Sequence, residues 1–286
     1  MTGPKTELGV TFSSEAVAES SADVRARHDD NRAAWNEAAG YYASQLDTAI
    51  ARLKAGRSSL HPIERRNLGD LRAWCDAAVH LQCASGEDTL SLWLEGAKRV
   101  VGVDFSDVHI ANAERTSAAL DAPSTWHRCD ILDTPASLNG TADLVYTGQG
   151  ALCWLHDLAG WAAVIARVLK PGGVFHVLDD HPATWLFDME APRLTPSGLS
   201  YFRHAESSKG WPTSYIKEAP PVENQATKHE RLWSLAAVFG ALTGAGLVVE
   251  SLGEHPEPYW QNFPNLPDDV RATLPLTFSM KARRPA

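Results

Sequence analysis

The 286-residue chain is poor in cysteine and short of positive charge. Its four cysteines, Cys75, Cys83, Cys129 and Cys153, form neither a C-x-x-C pair nor a zinc spacing, so free thiols in a reducing cytosol are expected. Lys and Arg number 26 against 35 Asp and Glu, a formal charge of −9. That balance argues against non-specific binding to nucleic acid or to an anionic membrane, both of which need a basic surface. No run approaches the roughly 18 apolar residues of a membrane span, and residues 1–30 lack the apolar core of a signal peptide. The H-E-x-x-H motif is missing. So is G-x-G-x-x-G, which weakens a nicotinamide dehydrogenase reading. What remains is a globular composition, 44% hydrophobic and 21% charged, with ten tryptophans and enough length to bury a large core. A soluble, cytoplasmic chain is expected.

Residues 1–30 are rich in Ser, Glu, Ala and Asp and read as a flexible leader. Helical spacing begins at Asn31, with Trp35, Ala38, Ala39 and Tyr42 on one side, and a second short helix spans about 62–74. These make an N-terminal helical lid over 31–75. Short β-rich runs then alternate with helical stretches: 77–82, 99–103, 125–129, 143–147 and 174–178. Ser106 caps a helix between two of them, and 157–169 carries an apolar stripe at helical spacing that Pro171-Gly172-Gly173 stops. This rhythm implies a mostly parallel sheet wound on both faces. Residues 181–228 break it and read as an insertion that covers something. A helix from Leu232 and strands at 247–252 and 274–281 close the chain, the last strand antiparallel. A single domain over 31–286 follows.

Open α/β sheets bind ligands at the carboxyl ends of their strands. The first strand-to-helix turn, His80-Leu81-Gln82-Cys83-Ala84-Ser85-Gly86, is made of small residues that let backbone approach a ligand. Asp104 ends the next strand, where its carboxylate can accept from two ribose hydroxyls. Asp130, after Cys129, ends the third and can accept from a purine amino group. In this order, Val79-His80-Leu81-Gln82-Cys83, Val101-Gly102-Val103-Asp104-Phe105-Ser106, Leu144-Val145-Tyr146, Cys153-Trp154-Leu155 and Leu169-Lys170-Pro171-Gly172-Gly173 resemble the class I S-adenosylmethionine-dependent methyltransferases, small-molecule branch. The resemblance runs from about Trp35 to Arg283. It implies a Rossmann-like seven-stranded sheet with S-adenosyl-L-methionine as cofactor. Gln82, Cys83, Ala84 and Gly86 would lie along its methionine part, Asp104 on the ribose and Phe105 against adenine. Asp130 and Ile131 would frame the base edge, the backbone near Thr147 would receive the amino group, and Trp35 and Tyr42 would fold over the cofactor.

Three departures from the family pattern are visible. Ala84 stands where a glycine is usual, and Gln82 replaces a glycine of the wider class. Arg231-Leu232-Trp233 occupies the place of a W-x-H element, so that Trp233 stands for its histidine.

Methyl transfer needs an aligned nucleophile and, for some acceptors, a base. His181, after Asp179-Asp180 at the end of the fifth strand, is either a base or a histidine bonded within its own turn. Tyr146 is either a donor to substrate or a packing residue. His229-Glu230, read as opening the last long helix, is either a substitute for the missing histidine or a solvated helix start. Asp179, Asp180 and His181 point to alternating faces, so no metal site is expected. The expected activity is methyl transfer to a small molecule, one with apolar or aromatic parts suiting the aromatic cover. Alternatives are another displacement on the cofactor, by cyclisation or aminocarboxypropyl transfer releasing methylthioadenosine, and a cofactor-binding protein without turnover.

Overall fold

The computed structural model describes residues 5–7, 10–202, 204–211 and 225–286. Strands β1 (Lys5–Glu7) and β2 (Val10–Ser14) precede the 34-residue helix α1 (Ser21–Lys54). Ser20 and Asp23 form a reciprocal capping box that starts α1 at Ser21 rather than at Asn31. Helix α2 (Pro62–Leu68) follows, with His61 accepting from the Ile63 N–H as its cap.

The expected alternation comes next. It runs β3 (Ala77–Leu81), α3 (Glu87–Leu94), β4 (Arg99–Asp104), α4 (Asp107–Leu120), β5 (Ser124–Arg128), β6 (Ala142–Thr147), α5 (Leu158–Val168) and β7 (Leu169–Asp180). Beyond it lie β8 (Ala205–Lys209), β9 (Thr227–Arg231), α6 (Leu235–Gly244), β10 (Val248–His255), the short α7 (Asp268–Arg271) and β11 (Thr277–Arg283).

Seven strands form one sheet in the order β10-β11-β7-β6-β3-β4-β5. Strands β3 to β7 pair in parallel, and β11 runs antiparallel to both β7 and β10. The Rossmann-like sheet with a reversed last strand is therefore present. Both faces are covered, so alternate residues of one strand enter different cores. Val145 joins Val79, Leu81, Trp161 and Phe175 in the core that also takes Val238 and Leu242 of α6. Its neighbours Leu144 and Tyr146 join Leu68, Ala78 and Leu92 on the other face. The strand order reverses at β3, whose two neighbours are β4 and β6. The carboxyl ends of these strands open at that point.

A second, four-stranded antiparallel sheet, β1-β2-β8-β9, joins the start of the chain to the expected cover. Here the structure corrects the sequence reading. His229 and Glu230 lie in β9, and α6 begins only at Leu235, where Ser234 caps it by accepting from the Ala237 N–H. Thr227–Arg231 carries no apolar residue, so its two-residue period was invisible. Within the cover, residues 203 and 212–224 lie outside the described residues, as do 1–4, 8 and 9 of the leader.

Candidate active site

A pocket opens at the carboxyl ends of β3, β4, β5 and β6. From the turn after β3 it is lined by Gln82 and Ala84, and from the end of β4 by Asp104 and Phe105. Asp130 and Ile131 line it after β5, and Trp35 covers it from α1. These seven residues, separated along the chain, were all anticipated. His28, His109, Gln149, Gly150 and Trp154 also line it.

The turn after β3 is tightly wound. Gln82 (φ 62°) and Ala84 (φ 44°) both adopt the left-handed conformation that glycine tolerates and side chains resist. This is the physical meaning of the two departures from the glycine pattern. Ala84→Gly should therefore relieve strain of about 1–2 kcal/mol and return part of it as unfolded-state entropy, raising stability by up to about 1 kcal/mol. Chemical denaturation checks it; a loss of stability would show that the Ala84 methyl makes contacts worth more than the strain.

Asp104 fixes this turn to the end of β4. Its Oδ2 accepts from the Ala84 N–H at 2.9 Å and its Oδ1 from the Ser106 N–H at 2.8 Å. Burial pushes the carboxyl up to about 6 against these donors. Asp130 is held differently. Its Oδ2 meets His28 Nδ1 at 2.7 Å and the Arg25 guanidinium at 3.1 Å, while Oδ1 accepts from the Leu132 N–H. Burial opposes the charge, but His28 and Arg25 outweigh it and hold the carboxyl below its ordinary range. Because His28 and Arg25 both belong to α1, the helix over the cavity is latched to the end of β5. Asn36 adds a second tie, its Oδ1 accepting from Ser106 Oγ at 2.7 Å.

The wall after β6 hangs between two buried acids. Gln149 donates to Glu64 Oε2 at 3.0 Å, and Glu64 also accepts from Tyr146 Oη at 2.6 Å and the His61 N–H at 2.7 Å. Burial first, and then the Asp88 carboxylate, raises Glu64 to about 7. Asp179, at the end of β7, accepts from three successive N–H groups: Gly150 at 3.1 Å, Ala151 at 3.1 Å and Leu152 at 2.8 Å. Gln82 Nε2 ties the same wall to β3 through the Ala151 carbonyl at 2.9 Å, leaving Gln82 Oε1 buried without a partner among the described residues.

The remaining anticipated residues stand around the cavity rather than on it. Tyr42 packs on the His109 ring at 5.3 Å. Cys83 is buried beneath Gly102, where an added Cβ would come within 2.7 Å of its Sγ. Gly86 caps α3 at φ 79°, with Trp126 2.5 Å from where a Cβ would be. Thr147 is fully buried.

None of the three acid–base candidates lines the cavity. Tyr146 is fully buried between His80 and His176, its hydroxyl spent on Glu64. His181 caps the turn at Pro182–Leu186, Nδ1 accepting from the Ala183 N–H at 3.1 Å while Nε2 faces Glu254 at 2.8 Å. His229 sits between Glu15 and Asp30; burial lowers its pKa, but the two carboxylates outweigh that and raise it. Trp233 donates its indole N–H to the Leu155 carbonyl at 3.0 Å and so braces the loop after β6. Asp179 accepts from the wall amides and from Tyr259, Asp180 from Trp260 and Asn262, and His181 faces Glu254.

Residues 78–173 match a methyltransferase domain family. An uncharacterized methyltransferase of Synechocystis sp. is 32% identical over 115 residues, 38% of this chain and 50% of that protein. The chain thus spans about half the length of the curated relative it matches. Among solved structures, an S-adenosylmethionine-dependent methyltransferase from Mesorhizobium loti is similar with a TM-score of 0.53 and 22% identity, over 79% of this chain and 98% of that one. A geranyl diphosphate C-methyltransferase from Streptomyces coelicolor, solved with geranyl diphosphate and S-adenosyl-L-homocysteine, gives 0.52 and 16%, over 78% and 77%. At such identities the likeness is one of fold.

Proposed function

We propose that the chain is a class I S-adenosylmethionine-dependent methyltransferase that moves the cofactor's methyl group to a small-molecule acceptor, a reading supported by the methyltransferase domain match over residues 78–173. One observation carries the reading: the wound Gln82–Ala84 turn and the acids Asp104 and Asp130 open onto one cavity at the switch point of the sheet.

The lining suits an adenosyl sulfonium with an amino-acid tail. Asp104 offers a buried carboxylate for ribose hydroxyls, with Phe105 beside it for the base. Asp130 and Ile131 stand where a base edge would lie. Gln82 Oε1, buried and without a partner, is an acceptor for an ammonium group. Trp35 and Trp154, whose ring centroids are 5.2 Å apart at 82°, add aromatic rings to the wall beside a cationic sulfur. When bound, S-adenosylmethionine supplies an electrophilic methyl on a positively charged sulfur.

The protein's own part is then positioning and exclusion of water. Helix α1 acts as the lid, latched through His28, Arg25 and Asn36, and Trp211 packs against Trp35 and Trp154 beside the cavity. In this reading Tyr146, His181 and His229 hold structure rather than carry protons. Trp35, Trp154 and Trp211, which pack together, suit an acceptor with apolar or aromatic parts. Four unpaired cysteines support a cytoplasmic location. Among the described residues no helix is long and apolar enough to cross a membrane.

The test is product analysis with methyl-labelled S-adenosylmethionine and a panel of small acceptors. S-adenosylhomocysteine should form in step with a labelled acceptor. Methylthioadenosine in its place would overturn methyl transfer, and tight binding with neither product across the panel would overturn catalysis.

A further inference from the structure

We infer that His109 is a ligand-binding residue of this cavity, donating its Nε2–H to the carboxylate at the amino-acid end of the bound cofactor. The inference rests on the cofactor reading above and adds to it a donor, an atom and a part of the ligand.

His109 stands in the first turn of α4, where its N–H is donated to the Ser106 cap at 3.1 Å. Its side chain lines the cavity, although the residue is only 1% exposed. The local hydrogen bonds favour one placement of the ring proton. Nδ1 lies 2.7 Å from Ser85 Oγ. Asn112 Nδ2 donates to that same oxygen at 3.4 Å and to the Ala39 carbonyl at 3.2 Å. With a donor already directed at it, the Ser85 hydroxyl turns its own hydrogen to His109 Nδ1. The proton of the neutral imidazole is then on Nε2. Burial keeps the ring neutral, drawing its pKa down to about 4. Nε2 is buried and has no partner among the described residues. A buried N–H without an acceptor is costly in a folded protein, and a ligand acceptor removes that cost.

The charges around the cavity say what kind of acceptor. Among the described residues its lining includes the acids Asp104 and Asp130 and no Lys or Arg. The histidine on the far side, His28, is committed to Asp130. An entering carboxylate therefore finds no basic partner in the lining and must be met by neutral donors. Backbone N–H groups nearby are already spent, Ala84 on Asp104 and Gly150 on Asp179. His109 Nε2–H is a neutral donor of this kind, buried and without a partner among the described residues. Its place in the first turn of α4 adds the positive end of a 14-residue helix. Trp35 at 5.6 Å and Tyr42 at 5.3 Å brace the imidazole from α1, fixing the ring and shielding it from water.

The experiment compares two ligands that differ in one group, S-adenosylmethionine and its decarboxylated form, by calorimetry on the full chain. His109→Phe keeps a planar ring between Trp35 and Tyr42 and removes the donor. It should weaken S-adenosylmethionine by about 10- to 100-fold and leave the decarboxylated form nearly unchanged. His109→Gln, which restores an N–H, should recover part of the loss. Should His109→Phe fail to fold, Ser85→Ala carries the test, since it frees the tautomer and should weaken only the carboxylate-bearing ligand. Equal weakening of both ligands, or of neither, overturns the assignment and leaves the cofactor site standing. A native chain that binds neither ligand overturns the cofactor reading and this inference together.

Discussion

Asp104→Ala should weaken S-adenosylmethionine binding by about 2–4 kcal/mol, roughly 30- to 1,000-fold, if the carboxylate accepts both ribose hydroxyls. The side chain lies in the cavity wall and its two oxygens already organise the Ala84 and Ser106 amides. Removing it thus takes away the ligand's partner and slackens the turn that must lie against the ligand. Circular dichroism confirms that the variant is folded, and calorimetry reads the affinity. A folded variant of unchanged affinity would remove Asp104 from the site.

The same carboxyl predicts a pH profile. Its pKa in the free protein is raised to about 6, chiefly by burial, whereas hydroxyl donors favour the ionised form. Below that value the free protein holds a proton that binding must expel, so affinity should fall about tenfold per pH unit. Above about pH 7 it should be flat. The free protein behaves oppositely. Because the folded pKa is raised, Asp104 costs stability as pH rises from the ordinary carboxylate range through about 6, and the bound cofactor offsets this. A profile that persists unchanged in Asp104→Asn would assign the titration elsewhere.

Asp179→Ala should be the most damaging single change to the cavity wall, lowering stability by about 2–5 kcal/mol. Three consecutive amides, Gly150, Ala151 and Leu152, share its two oxygens, and the residue is only 4% exposed. Truncation leaves these donors without an acceptor in a place where water enters poorly. The cofactor affinity should fall as well, because Gly150 and Ala151 line the cavity. Denaturant unfolding and calorimetry on the same preparation check both effects. An unchanged melting point would mean that the wall finds other acceptors.

Much of this was legible in the sequence because the central sheet is buried on both faces. Runs such as Arg99–Asp104 and Ala142–Thr147 have no other role than strands, and Ser106 and Gly86 mark the helices that follow them. The acids at the strand ends were found for the same reason: the end of a strand is a readable position.

What was missed has local causes. His28 lies three residues before Asn31, where the apolar spacing of α1 becomes visible, although Ser20 and Asp23 already spell its capping box. Strand β9 pairs at the rim through polar residues, so only Ser234, the cap of α6, betrays where the helix truly starts. His109, Gln149 and His28 enter the site through contacts between distant segments, and spacing along the chain carries no trace of those.

The rim sheet bears on how the molecule is made. Strand β2 finds its partner β8 only near residues 206–209, and Asn31 of α1 bonds to the backbone of His229, 198 positions later. A ribosome delivers this chain from the other end, at about 5–20 residues per second. The central strands β3 to β7 can assemble while β2 still waits for β8. The rim sheet is therefore a late product of synthesis, completed after the central strands. A chain cut short before residue 205 would carry α1 and β3 to β7 but lack β8 to β11, leaving the edges of β2 and β7 without their partners and prone to pair with other chains.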